Sequence, residues 1–315
     1  MNRRGFVLRS SLALSAGLAS RALLSAQAAP AVGPAQAASQ PVPVAFTPVR
    51  RGVGAFTGRG GTIGYLANGH ALAAVDTQFP DTAARFAAEL PGRKGRTFDV
   101  VINSHHHGDH TGGNSTLRTA TKAIVAHAHV PKLLEERASQ DKRTLDPLSI
   151  PTKTFADTWK MDLADETVSA RYFGPAHTKG DIVVLFEKAN VVHTGDLVFN
   201  RKYPVIDRAA GGSIRGWVSV LEKVAANYPR ETIYIFGHSG GKFGVTGGRA
   251  EVLSFRDYLS AVLDYAQKQL KAGKSKPELI ALENFPGFPD FHEPLPNRLG
   301  LLLGAAYDEL STRAG

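Results

Sequence analysis

The chain has 315 residues, 43% hydrophobic and 21% charged, a balance that suits a soluble globular protein with one large domain or two moderate ones. Its formal charge of +9 falls to +5 without the four arginines of the first 28 residues, and no Lys/Arg run is interleaved with aromatics, so nucleic-acid binding has no support. There is no cysteine, which excludes disulfides and thiolate metal ligands together.

Residues 1–28 have a basic start, an apolar middle and a small-residue end. Arg3-Arg4 followed by Gly5, Phe6, Val7 and Leu8 resembles a twin-arginine export signal, and Ala26-Gln27-Ala28 suits cleavage. The apolar stretch is short and rich in Ala, Ser and Gly, whereas a spanning helix needs about 20 strongly apolar residues. No later segment reads as a stable membrane span. The expectation is export in the folded state by the twin-arginine machinery, to the periplasm or beyond. Residues 29–44, APAVGPAQAASQPVPV, read as a disordered Ala/Pro linker, leaving 45–315 as one folded domain.

Short apolar runs broken by glycine then predict strands at Val53–Phe56, Thr62–Leu66 and Ala71–Val75. Residues 81–90 have helical spacing, with Asp81 as cap and Pro91-Gly92 as terminator. Residues 98–105, FDVVINSH, predict a buried strand, and 122–127 another. The polar stretch 131–160 predicts helix and loop. Strands return from 167 in TVSARYF, DIVVLFE and NVVHTGD. Residues 214–227 predict a helix capped by Ser213, 232–239 a strand, 249–271 a long amphipathic helix, and 296–312 a last helix after a Pro-rich loop. The order implies mixed sheets flanked by helices, in two halves meeting near residue 165.

The chemistry concentrates in 103-NSHHHGDHTGGN-114, with four histidines and an aspartate within six residues. Alternate residues His105 and His107 can aim two imidazoles at one ion, leaving Asp109 and His110 for a second. Zinc takes about four N or O ligands, so distant residues must complete two shells. His177, Asp196 and His238 stand beside predicted strands where a sheet could converge them. His106 lies between two ligands and is not expected to be one. His127, His129 and His193 read as packing or surface histidines, and His70 and His292 carry no signal.

His105-His106-His107-Gly108-Asp109-His110 is an H-x-H-x-D-H pattern. With His177, Asp196 and His238 following in order, and Asp76 ending the strand before it, the chain resembles the metallo-β-lactamase-fold hydrolase superfamily over residues 50–240 or more. The resemblance implies a four-layer αββα sandwich with a dinuclear zinc site at one edge. His105, His107 and His177 would hold one Zn2+ and Asp109, His110 and His238 the other, with Asp196 bridging. Asp76 would orient a ligand from behind.

It also implies a metal-bridging hydroxide attacking an activated acyl bond of a small-molecule substrate, with Asp109 taking up a proton. The lack of cysteine excludes thiolate-ligand subclasses, and the bridging Asp196 sets the chain apart from histidine-only β-lactamases. The expected substrate is a lactam, lactone or ester ahead of a thioester. At the mouth, Tyr203 could donate to an oxyanion or leaving group, and Lys202, Arg201 or Lys179 could hold a substrate carboxylate. Two other classes stay open: an iron or mixed-metal enzyme such as a persulfide dioxygenase, and a non-catalytic exported metal-binding protein. Thioester hydrolysis of the hydroxyacylglutathione type is a further alternative. Physiological substrate and oligomeric state are not encoded legibly.

Overall fold

The computed structural model describes residues 42–293 and 295–312. The signal-like segment and residues 29–41 of the expected linker lie outside the described residues; Val44, at the linker's end, packs against the core.

The first sheet is built from β1 (Ala45–Arg50), β2 (Val53–Thr57), β3 (Ile63–Ala67), β4 (Leu72–Val75), β5 (Val100–Asn103), β6 (Ile124–His127) and β7 (Lys153–Phe155), adjacent in that order. Pairing is antiparallel from β1 to β4 and parallel from β4 to β7. The second half supplies β8 (Thr158–Leu163), β9 (Glu166–Tyr172), β10 (Ile182–Phe186), β11 (Val191–His193), β12 (Phe199–Asn200), β13 (Ile233–Ile235), β14 (His238–Ser239) and β15 (Thr246–Gly247). The second sheet runs β15-β13-β11-β10-β9-β8, while β12 and β14 form a small parallel pair at its end.

Each sheet is apolar on both faces, and alternation along the strands sorts its side chains. Val100 and Ile102 of β5 pack with Ile182, Val184 and Phe186 of β10 and Val191 of β11 between the sheets. Val101 faces outward, joining Phe56, Phe86, Phe98 and Leu117 beneath the helices α1 (Pro80–Glu89) and α3 (Asn114–Arg118). Between these come α2 (Gly108–Thr111), and after them α4 (Val130–Gln140). On the far side, Val183 and Val192 join Trp217, Leu221, Phe255, Tyr258 and Leu302 beneath α5 (Ile214–Asn227), α6 (Arg249–Lys271) and α8 (Arg298–Ser311), with the short α7 (Lys276–Ile280) beside α8. Period-two burial with helices on both outer faces makes an αββα sandwich.

Four sequence expectations change. Phe79, not Asp81, caps α1, and Asp81 instead pairs with Arg59 at 2.6 Å. The apparent linker's end leads into a six-residue edge strand, β1, none of whose residues is fully buried. Stretch 131–160 contains β7 and the first half of β8, not only helix and loop; Trp159, Met161 and Leu163 alternate with exposed Thr158, Lys160 and Asp162. The chain passes from one sheet to the other at 156–157, between β7 and β8, not near 165. Ser213 caps α5 as expected, its hydroxyl accepting from the Gly216 N–H at 3.1 Å.

Candidate metal centre

The site residues all sit at the carboxyl ends of strands or in the loops beyond them. His105 and His107 follow β5, and Asp109 and His110 occupy the first turn of α2. His177 lies in the β9–β10 loop, whose turn is locked because Thr178 donates both its N–H (2.7 Å) and its hydroxyl (2.9 Å) to the Asp181 carboxylate. Asp196 follows β11, and His238 opens β14.

These side chains converge as two sets of donors. In the first, His107 Nδ1 lies 3.1 Å from His105 Nε2 and 2.9 Å from His177 Nε2. Asp196 Oδ2 is 3.8 Å from His105 Nε2 and 3.5 Å from His177 Nε2. In the second, Asp109 Oδ2 is 3.6 Å from His110 Nε2 and 3.2 Å from His238 Nε2, and the two imidazole nitrogens are 3.4 Å apart. Asp196 Oδ1 completes this set at 2.9 Å from His110 Nε2 and 3.4 Å from His238 Nε2. Four donors at about 2.0–2.2 Å from one ion, at tetrahedral corners, stand about 3.4 Å from each other. Both sets match that spacing. Asp196 offers one oxygen to each, and its buried Oδ1 makes no hydrogen bond of proper geometry, as an atom meant for a cation would.

Neutral imidazoles cannot satisfy one another in such a cluster, and the electrostatics record the conflict. Burial and the neighbouring His110 hold His105 well below the usual histidine range, and burial with His107 lowers His177 to about 4. Burial also acts against protonated His110 and His238, but Asp196 with Asp109 outweighs it, raising His110 well above its ordinary value and His238 to about 9. Burial alone would raise the two carboxyls; His110 and His238 more than reverse this and hold Asp109 and Asp196 well below the usual range.

A second layer of residues fixes the rings. Asp76 adopts the left-handed region at φ 69°, where its carboxylate accepts from the Ser104 N–H and hydroxyl, each at 2.7 Å, and meets His110 Nδ1 at 2.7 Å. The Ser104 hydroxyl also lies 3.1 Å from His105 Nδ1. His177 Nδ1 donates to the Val205 carbonyl at 2.7 Å, and His107 Nε2 meets Asp207 Oδ2 at 2.8 Å. Two glycines clear the space: a Cβ at Gly61 would run into the His110 ring, and one at Gly237 into Asp196 Oδ1.

The sets open onto a cleft of about 490 Å³ whose walls include Phe79, Phe199, Lys202, Tyr203, Val205 and Arg298. Of the mouth residues expected from sequence, Lys202 and Tyr203 reach this cleft. Lys202 is tied to the buried Glu293 carboxylate at 3.0 Å. Arg201 does not line it; its guanidinium bonds the Ser254 hydroxyl and lies over the Phe291 ring at 5.3 Å. Lys179 does not line it either, its stem lying against Gly211. His106 stays outside both donor sets, with burial lowering it to about 3. His193 is a satisfied core residue, bonded to the Thr62 carbonyl at 3.0 Å and accepting from the Gly195 N–H at 3.1 Å. His127 stacks on Tyr172 at 4.1 Å. Sequence reasoning missed Asp207, Glu293 and Arg298. None carries a local motif, and Asp207 lies 100 residues from its partner His107.

The sequence profile of the metallo-beta-lactamase superfamily matches residues 57–238, more than half of the chain and every residue of both donor sets. The chain belongs to that superfamily. Among curated superfamily relatives, it is 30% identical over 181 residues to the hydroxyacylglutathione hydrolase of Methylococcus capsulatus, covering 56% of this chain and 62% of the relative. It is also 30% identical to the hydroxyacylglutathione hydrolase of Cereibacter sphaeroides, covering 54% and 60%, and 23% identical to metallo-beta-lactamase IND-1 of Chryseobacterium indologenes, covering 46% and 57%. The matches therefore span about three-fifths of these relatives' lengths. Among solved structures, a metallo-beta-lactamase from Pontibacter korlensis superposes with a TM-score of 0.57 at 15% identity, covering 69% of this chain and 99% of that one. DIM-1 metallo-beta-lactamase gives 0.56 at 18%, covering 70% and 98%. The shared superfamily fold is the αββα sandwich, and the clustered His and Asp residues suit a divalent metal.

Proposed function

We propose that this chain is a dinuclear zinc hydrolase that cleaves an activated acyl bond in a β-lactam, lactone or ester. The observation carrying this is Asp196, whose two oxygens face two separate sets of three donors each and supply the fourth to both. His105 Nε2, His107 Nδ1, His177 Nε2 and Asp196 Oδ2 would hold one ion; Asp109 Oδ2, His110 Nε2, His238 Nε2 and Asp196 Oδ1 the other. Bound zinc supplies a hydrolytic nucleophile at neutral pH by lowering the pKa of water from roughly 15.7 to about 7, and it polarises a carbonyl.

The protein's own residues do the rest. Asp196 and Asp76 are buried, whereas the Asp109 side chain is 31% exposed beside the cleft, so Asp109 is the carboxylate able to receive the proton of an attacking water. Phe79, Phe199 and Val205 make the cleft walls apolar and limit competing water. Tyr203 is the hydroxyl-bearing side chain among the residues lining the cleft, and so the candidate donor to the leaving group. The Lys202–Glu293 pair shapes the mouth, and its charge is already matched.

A second reading, thioester hydrolysis, draws support from the names of the hydroxyacylglutathione hydrolase relatives. Metal analysis of the purified protein beside assays with nitrocefin, a lactone, an aryl ester and a glutathione thioester separates the readings. About two zinc per chain, with turnover abolished by Asp196→Ala, is the expected result; about one iron and no hydrolysis of any substrate would overturn it. Folded export through residues 1–28 belongs to the same proposal. Its check is the mass of the exported chain, expected to begin at Ala29, and its loss from the periplasm with Arg3→Lys and Arg4→Lys together.

A further inference from the structure

Beside the metal cleft lies a second hollow of about 680 Å³, and the two share a wall: Val205 and Arg298 line both. Val205 is fixed there because its carbonyl accepts from His177 Nδ1 at 2.7 Å. The floor is α8, where Gly300 and Gly304 face α7 without side chains. Leu301 is 66% exposed, Ile280 41% and Val205 36%; these are three of the five exposed large apolar side chains among the described residues. Apolar groups gathered in one hollow, unlike scattered ones, mark a binding surface. Its rim cations are mostly matched, Lys276 with Asp308 at 2.7 Å and Arg208 with Glu309 at 3.3 Å. Arg298 has no carboxylate within ion-pair distance among the described residues, so the shared rim of the two hollows carries an unmatched positive charge.

We propose that this second hollow seats the apolar tail of the substrate, making the preferred substrate an amphiphilic acyl compound whose tail passes between Val205 and Arg298. This rests on the hydrolase reading above. Continuity with the cleft favours a substrate tail over a second copy of the chain, because Val205 and Arg298 line both spaces and the hollow gathers exposed apolar side chains beside the donor sets. The reaction is plain hydrolysis: the acyl carbon–oxygen bond breaks, water gives its oxygen and one proton to the acid, and the other proton goes to the leaving alcohol.

The test uses the zinc-loaded full chain with 4-nitrophenyl acetate, hexanoate and dodecanoate, and dodecanoate binding by calorimetry. A fully buried methylene is worth about fourfold in binding, so in this open hollow kcat/KM is expected to rise by about twofold per methylene. Leu301→Asp should flatten that series and weaken dodecanoate binding, while Leu148→Asp, at another exposed leucine outside the hollow, should leave both as they are. Turnover of acetate with a flat series overturns the proposal and leaves the hydrolase intact. If no ester is turned over, the ester reading fails, and dodecanoate binding decides the hollow: sensitivity to Leu301→Asp supports it, and no binding overturns it. A dimer that Leu301→Asp dissociates, with a flat series, gives this face to a second copy and also overturns it.

Discussion

His107 is gripped from two sides, with Nδ1 in the first donor set and Nε2 on Asp207 at 2.8 Å. Removing such a carboxylate behind a ligating histidine typically costs ten- to a hundredfold in metal affinity. Asp207→Ala is therefore expected to weaken zinc binding by about that factor, measured by chelator competition, with the fold unchanged by circular dichroism. The protonation pattern gives a second prediction. In the metal-free protein, His110 and His238 hold protons more tightly folded than unfolded, so their stabilisation is complete below about pH 6.5 and lost as pH rises through about 9 for His238. His105 and His177 act in the opposite sense, with stability lost as pH falls from about 6.5 toward about 4 for His177. Metal-free protein should melt highest near pH 6.5. On the proposed reading, zinc would displace the protons on His110 and His238, so its affinity should climb between pH 6 and 9, with about two protons released per chain in a weakly buffered dye assay. At this scale the ligand candidates were legible because four of them fall within His105–His110, where no packing purpose explains so many imidazoles. Asp207 and Ser104 were not, because they act through spatial contact alone.

Among the elements, α5 and α8 are joined by one carboxylate. Glu309 of α8 accepts from the Ser213 hydroxyl at 2.9 Å, the Ile214 N–H at 2.7 Å and the Arg215 N–H at 3.1 Å, at the electropositive start of α5. Its side chain is 9% exposed, so these bonds are little weakened by solvent. Glu309→Ala is expected to cost about 2–3 kcal/mol in urea unfolding, and Glu309→Gln distinctly less. Helices with a clear apolar stripe, α5 and α6, were readable to within a residue. The edge strands β1, β7 and β8 were not: an edge strand buries little, so mixed polar composition hides it. In β8 the alternation of Trp159, Met161 and Leu163 was a usable signal that polar neighbours masked. Asp81 failed as a cap because the helix already starts at Pro80, which places Asp81 within the first turn, where its carboxylate pairs with Arg59.

For the whole molecule, the apolar runs implied mixed sheets flanked by helices, and the four-layer order came from the family resemblance; the inner strands of both sheets are buried on both faces, which demands continuous apolar strands and covering helices. The crossing point did not, since 156–157 is an ordinary short connection. Both donor sets straddle that crossing, so metal binding acts on the sandwich as a unit. Ligand binding to the folded state alone adds about 4 kcal/mol at a free concentration a thousandfold above Kd. Removing metal with a chelator should thus lower the melting temperature in one cooperative step, with near-equal loss of amide protection in β5 and β11.

The crossing at 156–157 divides the donors evenly. His105 and His107 lie before it and His177 and Asp196 after it; Asp109 and His110 lie before it and His238 and Asp196 after it. Neither half offers more than two donors to either set. On the proposed reading the centre would work as a coincidence detector for correct assembly: no tetradentate grip would exist until both sheets had found each other, and a partly folded chain would have little with which to hoard metal.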